Sequence, residues 1–434
     1  MSPPLVGALG FFGVLVFMLM GMPIGIAFLL VGFTGTVYLA GLDTALAAVA
    51  RIPYTWSTEY IFTCIPLFVL MGFVCFDSGI ATGFYRAAHK FLGRLPGGLA
   101  LASIVGCGGF AAVSGSSTAS AATMGAICIP EMDHYKYDSV LSSGTIAAGG
   151  TLGIMIPPSL GFILYGILAE ESIGKLFMAG IIPGLILVLS FMTVVVIWVK
   201  LNPSVAPTAI EKPTFKEKLA SLKGVWPILL IFLFVLGGIY TGAFTPVEAG
   251  GMGAISTVIL AFAMRRMTLK KLLESCKSSI SVTAMMFMLL MGAMIFNVFL
   301  AVSTLPQTLS AMMTSIGSPT LMVIIILLLY LPLGCFMDAA AMIILTIPLY
   351  LPALIDNNVN LIWFGVLTTL MGEMALITPP IGMNVYVVQG VIKTIPVEQI
   401  FKGIFPYLIA YLCVLVLLFF VPSLSLYLPS LMKF

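Results

Sequence analysis

Charge is what this sequence has least of. Of its 434 residues only 8% are Asp, Glu, Lys or Arg, while 61% are hydrophobic; a soluble domain carries roughly 25% charge. An ordinary water-soluble globule is excluded. Histidine occurs twice, at His89 and His134. Both fall in segments that read as loops, so an intramembrane Ser–His hydrolase would lack a histidine at the depth of its serines. The seven cysteines, at 64, 75, 107, 128, 276, 335 and 413, stand singly, and no Cys-x-x-Cys pair suggests a zinc site or a disulfide framework. No Gly-x-x-x-x-Gly-Lys-Ser/Thr loop is present, so no ATP motor is built in. The in–out alternation of a membrane β-barrel is missing, as is a basic segment ahead of the first apolar run that would mark a cleavable signal. The 27 methionines have no metal-ligand spacing and read as gap fillers.

What is there is a series of apolar runs near the ~20 residues a membrane helix needs. The pattern predicts an all-α polytopic membrane protein with spans at 5–21, 23–40, 59–79, 139–167, 174–199, 225–241, 246–264, 279–302, 361–390 and 404–428. Two further stretches, 97–130 and 319–355, are interrupted near their middles, by Ser114-Gly115-Ser116-Ser117-Thr118 and by Gly334-Cys335-Phe336-Met337-Asp338. Each arm of about 15 residues gives about 23 Å of helix, short of the ~30 Å hydrocarbon core. Both stretches therefore read as re-entrant hairpins.

The distribution of charge agrees. With both stretches as hairpins, all 19 Lys and Arg fall on one side except Arg51, Lys175 and Lys433. Lys/Arg-rich loops stay cytoplasmic, so both termini are expected outside. The chain also repeats. "IMIPPSLGFILYG" at 154–166 resembles "LITPPIGMNVYVV" at 376–388, and "SIGKLFMAGIIPG" at 172–184 resembles "TIPVEQIFKGIFPY" at 394–407. Each half has five crossings and one hairpin. Five is odd, so the second half lies inverted relative to the first, the arrangement of many secondary transporters. The expected organisation is helices of repeat 1 over 1–56, a third helix and connecting arm over 57–96, and a first transport half over 97–200 holding the hairpin 97–130 and broken helix 139–167. A cytoplasmic linker, 201–224, follows. Repeat 2 supplies helices over 225–278, an arm over 279–318 and a second transport half over 319–434 with hairpin 319–355 and broken helix 361–390.

Both Pro-Pro pairs lie inside apolar spans, where they remove backbone donors and exclude helix before them. Irregular backbone is tolerated at such depth only where it lines a protein cavity or a water-filled site. The two hairpin tips, Ser114–Ser120 and Gly334–Ala341, are expected to meet the breaks at 150–159 and 374–384. Helix C-termini there suit a cation and N-termini an anion; a sodium-coupled organic-anion site needs both. A proline kink with only a packing role is the plainer reading of either Pro-Pro taken alone. Ser114, Ser116, Ser117, Thr118 and Ser120 concentrate hydroxyls at the first tip, although Ser and Thr also sit in membrane helices bonded to their own backbone. Asp338 reads either as a sodium ligand or stabiliser of the second tip, or as a protonated or snorkelling acid near the outer surface. Glu373, one turn before the second break, could hold that break or simply make a core hydrogen bond. Glu248, opening the helix after "AFTP", is expected to cap it.

The motifs "VSGSSTASAATMGAICIPEM", "GTLGIMIPPSLGFILYG", "GAFTPVEAGG" and "ALITPPIGMNVYVVQG" resemble the large membrane subunit of tripartite ATP-independent periplasmic (TRAP) transporters, over essentially the whole chain. The resemblance implies a fold similar to divalent-anion/sodium symporters and an elevator mechanism. It also implies import of an organic acid, such as a dicarboxylate or sialic acid, driven by sodium across the bacterial inner membrane, with no enzymatic activity and no cofactor besides the coupling Na⁺. The implied partners are a small four-helix membrane subunit and a periplasmic substrate-binding protein. The first helix starts almost at Met1, so the small subunit is expected as a separate chain. Carried onto matching positions, one sodium site would involve Ser114, Ser116, Gly153 and Pro158, and the other Gly334, Asp338, Thr378 and Pro379. Substrate would lie near Thr118, Ser120, Ser159, Met383 and Asn384. Where related subunits have an acid late in the first tip, this chain has Ser120, which sets its substrate contacts apart. The alternatives are a stand-alone divalent-anion/sodium symporter and, from another class, the intramembrane hydrolase.

Overall fold

The computed structural model describes residues 1–207, 214–315, 317–334 and 337–432. Cys335 and Phe336 of the second interruption, Lys212 and Pro213 of the linker, and Lys433 lie outside the described residues. Among those described there is helix and connection but no strand. Six single helices are long and apolar enough to cross a membrane, and two bent pairs would raise this to eight. One of the six, Ala339–Asp356, is an arm of the second hairpin. Among the shorter apolar helices, Pro3–Leu19 has Leu5, Leu9, Phe12, Val16 and Leu19 recurring at helical spacing and all exposed, as a lipid-facing stripe requires.

The inverted repeat is visible in which helix packs on which. Ile24–Ala40, the second helix of the first half, lies along Leu269–Ser303, the third of the second half. Reciprocally, Pro246–Ala263, the second helix of the second half, lies along Cys64–Asp77, the third expected span of the first. Lipid is as apolar as leucine, so helices in it associate through close packing rather than burial, and small residues mark the contacts. A Cβ on Gly32 would come within 2.7 Å of the Phe296 backbone, and one on Gly25 within 2.8 Å of the Met288 carbonyl. Gly253 faces the Met71 sulfur at 2.8 Å in the same sense.

The same exchange governs the broken elements. The first hairpin is Gly98–Ser114 and Ser117–His134, reversing at Gly115, whose φ of +58° favours glycine. The second is Pro319–Leu333 and Ala339–Asp356. The first broken helix runs Ser139–Gly150, Leu152–Met155 and Leu160–Leu168; the second runs Leu361–Ala375 and Met383–Ile392. Both Pro157–Pro158 and Pro379–Pro380 are cis. Leu160–Leu168 packs on Ala339–Asp356 of the second hairpin, and Met383–Ile392 packs on Ser117–His134 of the first. Each half closes with a long helix, Ile173–Leu201 or Val397–Phe420, laid on the opposite half's broken helix.

The sequence spans are placed closely, with three differences. Leu269–Ser303 starts well before 279 because its first turns, rich in lysine, extend beyond the apolar stretch. Val397–Phe420 starts before 404 for the same reason, and Ser423–Ser430 is a separate helix after Pro422. Leu42–Thr58 is a further helix, one-sided and too polar to read as a span.

The glycine contacts give a direct test. Gly292→Ala would drive a Cβ onto the Gly25 backbone, whereas Gly237, inside Trp226–Thr241, has nothing within 4 Å. Thermal unfolding of the detergent-purified protein should show Gly292→Ala destabilised by about 1–3 kcal/mol. Gly237→Ala should be neutral or stabilised by up to about 1 kcal/mol. Equal melting of both variants would refute the packing.

Candidate functional site

Each hairpin tip is seated on the break of its own half. A Cβ on Gly153 would lie 2.5 Å from the Ser116 carbonyl oxygen, and one on Gly115 would lie 3.2 Å from that of Pro158. At the second tip a Cβ on Gly334 would fall on that of Ala375, and Gly372 faces the Ala339 Cβ at 3.4 Å. These glycines let irregular backbone approach irregular backbone, which no larger residue permits. Ser114, Ser116, Gly153 and Pro158 are thus gathered in one place, as the sequence predicts. A crevice of about 10 Å³ opens there between Ser114, Gly115, Pro158, Leu160 and Phe68, room for a single water-sized species.

Hydrogen bonding fixes what the hydroxyls can offer. Ser120 Oγ lies 2.8 Å from the Ser116 carbonyl oxygen, which can only accept, so Ser120 donates there. Ser114 Oγ lies 2.9 Å from Ser120 Oγ and, Ser120's one proton being committed, Ser114 is the donor. Ser117 Oγ donates to Glu373 Oε2 at 2.5 Å. Ser114 and Ser117 therefore have their protons held elsewhere and keep lone pairs, the state a hard cation needs. Ser116 caps Ser117–His134, accepting from the Ala119 N–H at 3.4 Å, and its hydroxyl lies 3.3 Å from that of Thr118. Ser159 caps Leu160–Leu168, accepting from the Phe162 N–H at 3.3 Å.

At the second tip Asp338 is half-buried and caps Ala339–Asp356, its Oδ1 accepting from the Ala341 N–H at 2.8 Å. Thr378 Oγ1 donates to the Met374 carbonyl at 2.8 Å, and Pro379, Pro380 and Ile381 are exposed. The first break is closed by contrast, with Pro157, Pro158 and Ser159 buried. Met383–Ile392 begins at Gly382, φ +59°, without a side-chain cap. Beside that bare N-terminus Asn384 is fully buried, and neither its Oδ1 nor its Nδ2 has a hydrogen-bond partner among the described residues. An amide donor beside a helix N-terminus suits an anionic group.

Several tying contacts are unreadable from sequence. Glu373 is fully buried, and its bond to Ser117 crosses 256 residues, joining the second break to the first tip; its Oε1 has no partner among the described residues. Tyr411 donates to Thr151 Oγ1 at 2.5 Å, and Tyr407 pairs with Thr145 at 2.8 Å. The one available signal is the four-residue spacing of two tyrosines on an apolar helix, whose buried hydroxyls need partners on one face. Glu248 caps its helix as expected, in a reciprocal box with Thr245. Neither histidine lies at the tips: His89 Nδ1 meets Glu131 at 3.2 Å, and His134 ends the helix that starts at Ser117.

Residues 11–424 match the family described as Tripartite ATP-independent periplasmic transporter, DctM component. The chain belongs to that family. It is 34% identical over 402 residues to the C4-dicarboxylate TRAP transporter large permease protein DctM of Pseudomonas aeruginosa, covering 91% of this chain and 92% of that one. It is 32% identical to the isethionate TRAP transporter permease protein DctMQ of Oleidesulfovibrio alaskensis over 98% of this chain but 66% of the relative. The fold is similar to that of the Alcanivorax borkumensis YdaH transporter, with a TM-score of 0.63 at 12% identity, over 89% of this chain and 90% of that one. As a TRAP large permease subunit, the chain is a secondary transporter, which sets aside the stand-alone symporter.

The Ser117–Glu373 bond predicts a measurable coupling. In a double-mutant cycle of Ser117→Ala and Glu373→Gln, read by chemical or thermal unfolding, the two changes should couple by about 1.5–3 kcal/mol. Strict additivity would mean that the bond does not join the two halves.

Proposed function

We propose that this chain carries a small organic anion, a carboxylate or related acid, across the bacterial inner membrane together with Na⁺. The anion is delivered by a periplasmic binding protein, and the permease works with a small membrane subunit. The observation that carries the reading is the seating of each tip on its own break, with hydroxyl oxygens at the first tip, a carboxylate at the second and an uncapped helix N-terminus at the second break. Sodium at the first layer would be held by Ser114, Ser116 and the backbone at Gly153 and Pro158. At the second layer it would be held by Gly334, Asp338, Thr378 and Pro379. Between them the anion would meet Asn384 at the N-terminus of Met383–Ile392, with Thr118, Ser120, Ser159 and Met383 around it. A C4-dicarboxylate and isethionate, named for two relatives, share an acidic group that such a site would bind.

Movement follows from the packing. The helices Ile24–Ala40, Cys64–Asp77, Pro246–Ala263 and Leu269–Ser303 form one interlocked group, taken here as the scaffold. The tips, breaks and closing helices form another, taken as the unit that rises and falls past it. Ile80–Leu92 and Leu305–Thr314 are the arms between them. The unequal exposure of the two breaks supports alternating access, because an inverted repeat exchanges the conformations of its halves when the open side changes. Two Na⁺ entering down ~100 mV and a tenfold gradient release about 7 kcal/mol, and one monovalent anion takes back ~2.3.

The test is initial uptake against sodium concentration in proteoliposomes holding permease, small subunit and loaded binding protein. Asn is as good a helix cap as Asp, so Asp338→Asn removes charge while keeping the cap. It should raise the sodium needed for half-maximal uptake by about 10- to 150-fold, and Ser114→Ala should raise it less. An unmoved sodium curve in Asp338→Asn would refute the second site. Uptake driven equally by protons without sodium would refute sodium coupling, and robust uptake by this chain alone would refute the assembly.

A further inference from the structure

The helix Cys64–Asp77 ends at Ser78, and Gly79, φ +65°, turns the chain into the arm helix Ile80–Leu92. Around this joint is a cavity of about 380 Å³ lined by Ser78, Gly79, Gly83, Arg86, Arg265, Arg266 and Lys271, within the size range of small-ligand clefts. Four cations from three elements converge on it: Arg86 from the arm, Arg265 and Arg266 from the turn after Pro246–Ala263, and Lys271 from the first turn of Leu269–Ser303. Arg266 donates to the Gly79 carbonyl at 3.4 Å and Lys271 to that of Asp77 at 3.5 Å, so these two also serve the helix end. Among the described residues no carboxylate lines the cavity. Asp77, at the end of the adjoining helix, accepts from Ser275 at 2.5 Å, and Glu131 is held by His89 at 3.2 Å.

Cations are also crowded onto the wrong helix end. Leu269–Ser303 has no acid in its first turn, and its positive pole repels Lys271 unless an anion lies between. The helix ends around the cavity present Phe76, Phe262, Leu269 and Leu273 to the outside, between 37 and 74% exposed. A cationic cavity at the Lys/Arg-rich ends of membrane helices, flanked by apolar side chains, has the chemistry of a phospholipid headgroup site.

We propose that this cavity binds the phosphodiester of an anionic phospholipid, whose acyl chains lie along the flanking apolar side chains. The headgroup would then tie the base of the first arm to two other helices. Free phosphate shares the charge but not the apolar flanks.

Native mass spectrometry of the purified full chain, titrated with phosphatidylglycerol, phosphatidylcholine or inorganic phosphate, tests this. The wild type should retain phosphatidylglycerol over phosphatidylcholine, and millimolar phosphate should not displace it. Arg86→Gln with Arg265→Gln should weaken phosphatidylglycerol retention about 30-fold. Lys216→Gln with Lys402→Gln, the same charge change outside the cavity, should leave it unchanged. If the double variant is not monodisperse, Arg265→Gln alone should show about fivefold weakening. Undiminished retention in a folded variant, equal retention of phosphatidylcholine, or displacement by phosphate alone would each overturn the proposal.

Discussion

A broken helix in a membrane leaves backbone groups that neither lipid nor the helix itself can satisfy, and the rest of this structure answers to that constraint. The break at Pro157–Pro158 is enclosed by the tip of its own half, by the closing helix of the other half, and on its far side by the other half's hairpin; the break at Pro379–Pro380 has the corresponding neighbours but leaves its two prolines exposed. An enclosure of this kind cannot be assembled from one repeat. The breaks need both halves, and the halves are held together by enclosing the breaks. The inverted repeat is thus the means by which two irregular segments at membrane depth become permissible.

Enclosure requires contact at backbone distance, which accounts for the distribution of small and polar residues. Gly144 and Gly403 meet where Val397–Phe420 lies along Ser139–Gly150, and on the same pair of helices Tyr407 and Tyr411 reach Thr145 and Thr151. Phe191 of the other closing helix fills the space between, its ring 5.3 Å from each tyrosine. Glycine brings the helices close, hydroxyl pairs hold them in register, and an aromatic wedge fills the gap that remains. Packing and paired polar groups replace the burial of apolar surface that would drive the same association in water.

This division explains which features were legible in the sequence. Spans, hairpins and the repeat are properties of length, hydropathy and charge, which act locally or add up along the chain; their helices were located from sequence, with the largest errors, of up to ten residues, where polar first turns extend an apolar helix. Leu42–Thr58 escaped because an amphipathic helix with Arg51 and Pro53 does not resemble a span. At the site, the gathering of the first tip and first break was expected from their shared irregularity. The pairing of Ser117 with Glu373 was not, because a hydrogen bond across 256 residues leaves no trace in the local pattern of either partner. Sequence placed Glu373 beside its own break; the fold carried its carboxyl group to the other half's tip.

That displacement has a chemical consequence, because the two layers are alike in backbone but not in charge. The first tip offers only hydroxyl and carbonyl oxygens, whereas the second carries Asp338. Glu373 narrows the difference without removing it. By accepting the Ser117 proton it polarises that hydroxyl, and hydrogen bonds in series strengthen one another in a low-dielectric setting. A cation at the first tip would therefore feel Glu373 through Ser117, while one at the second would face a carboxylate directly. On the proposed reading the second layer is the tighter of the two, and the first is tuned by a residue of the opposite repeat. On that reading, filling one layer would bear on the other through a bond between the halves, which would link the two proposed ions without requiring them to touch.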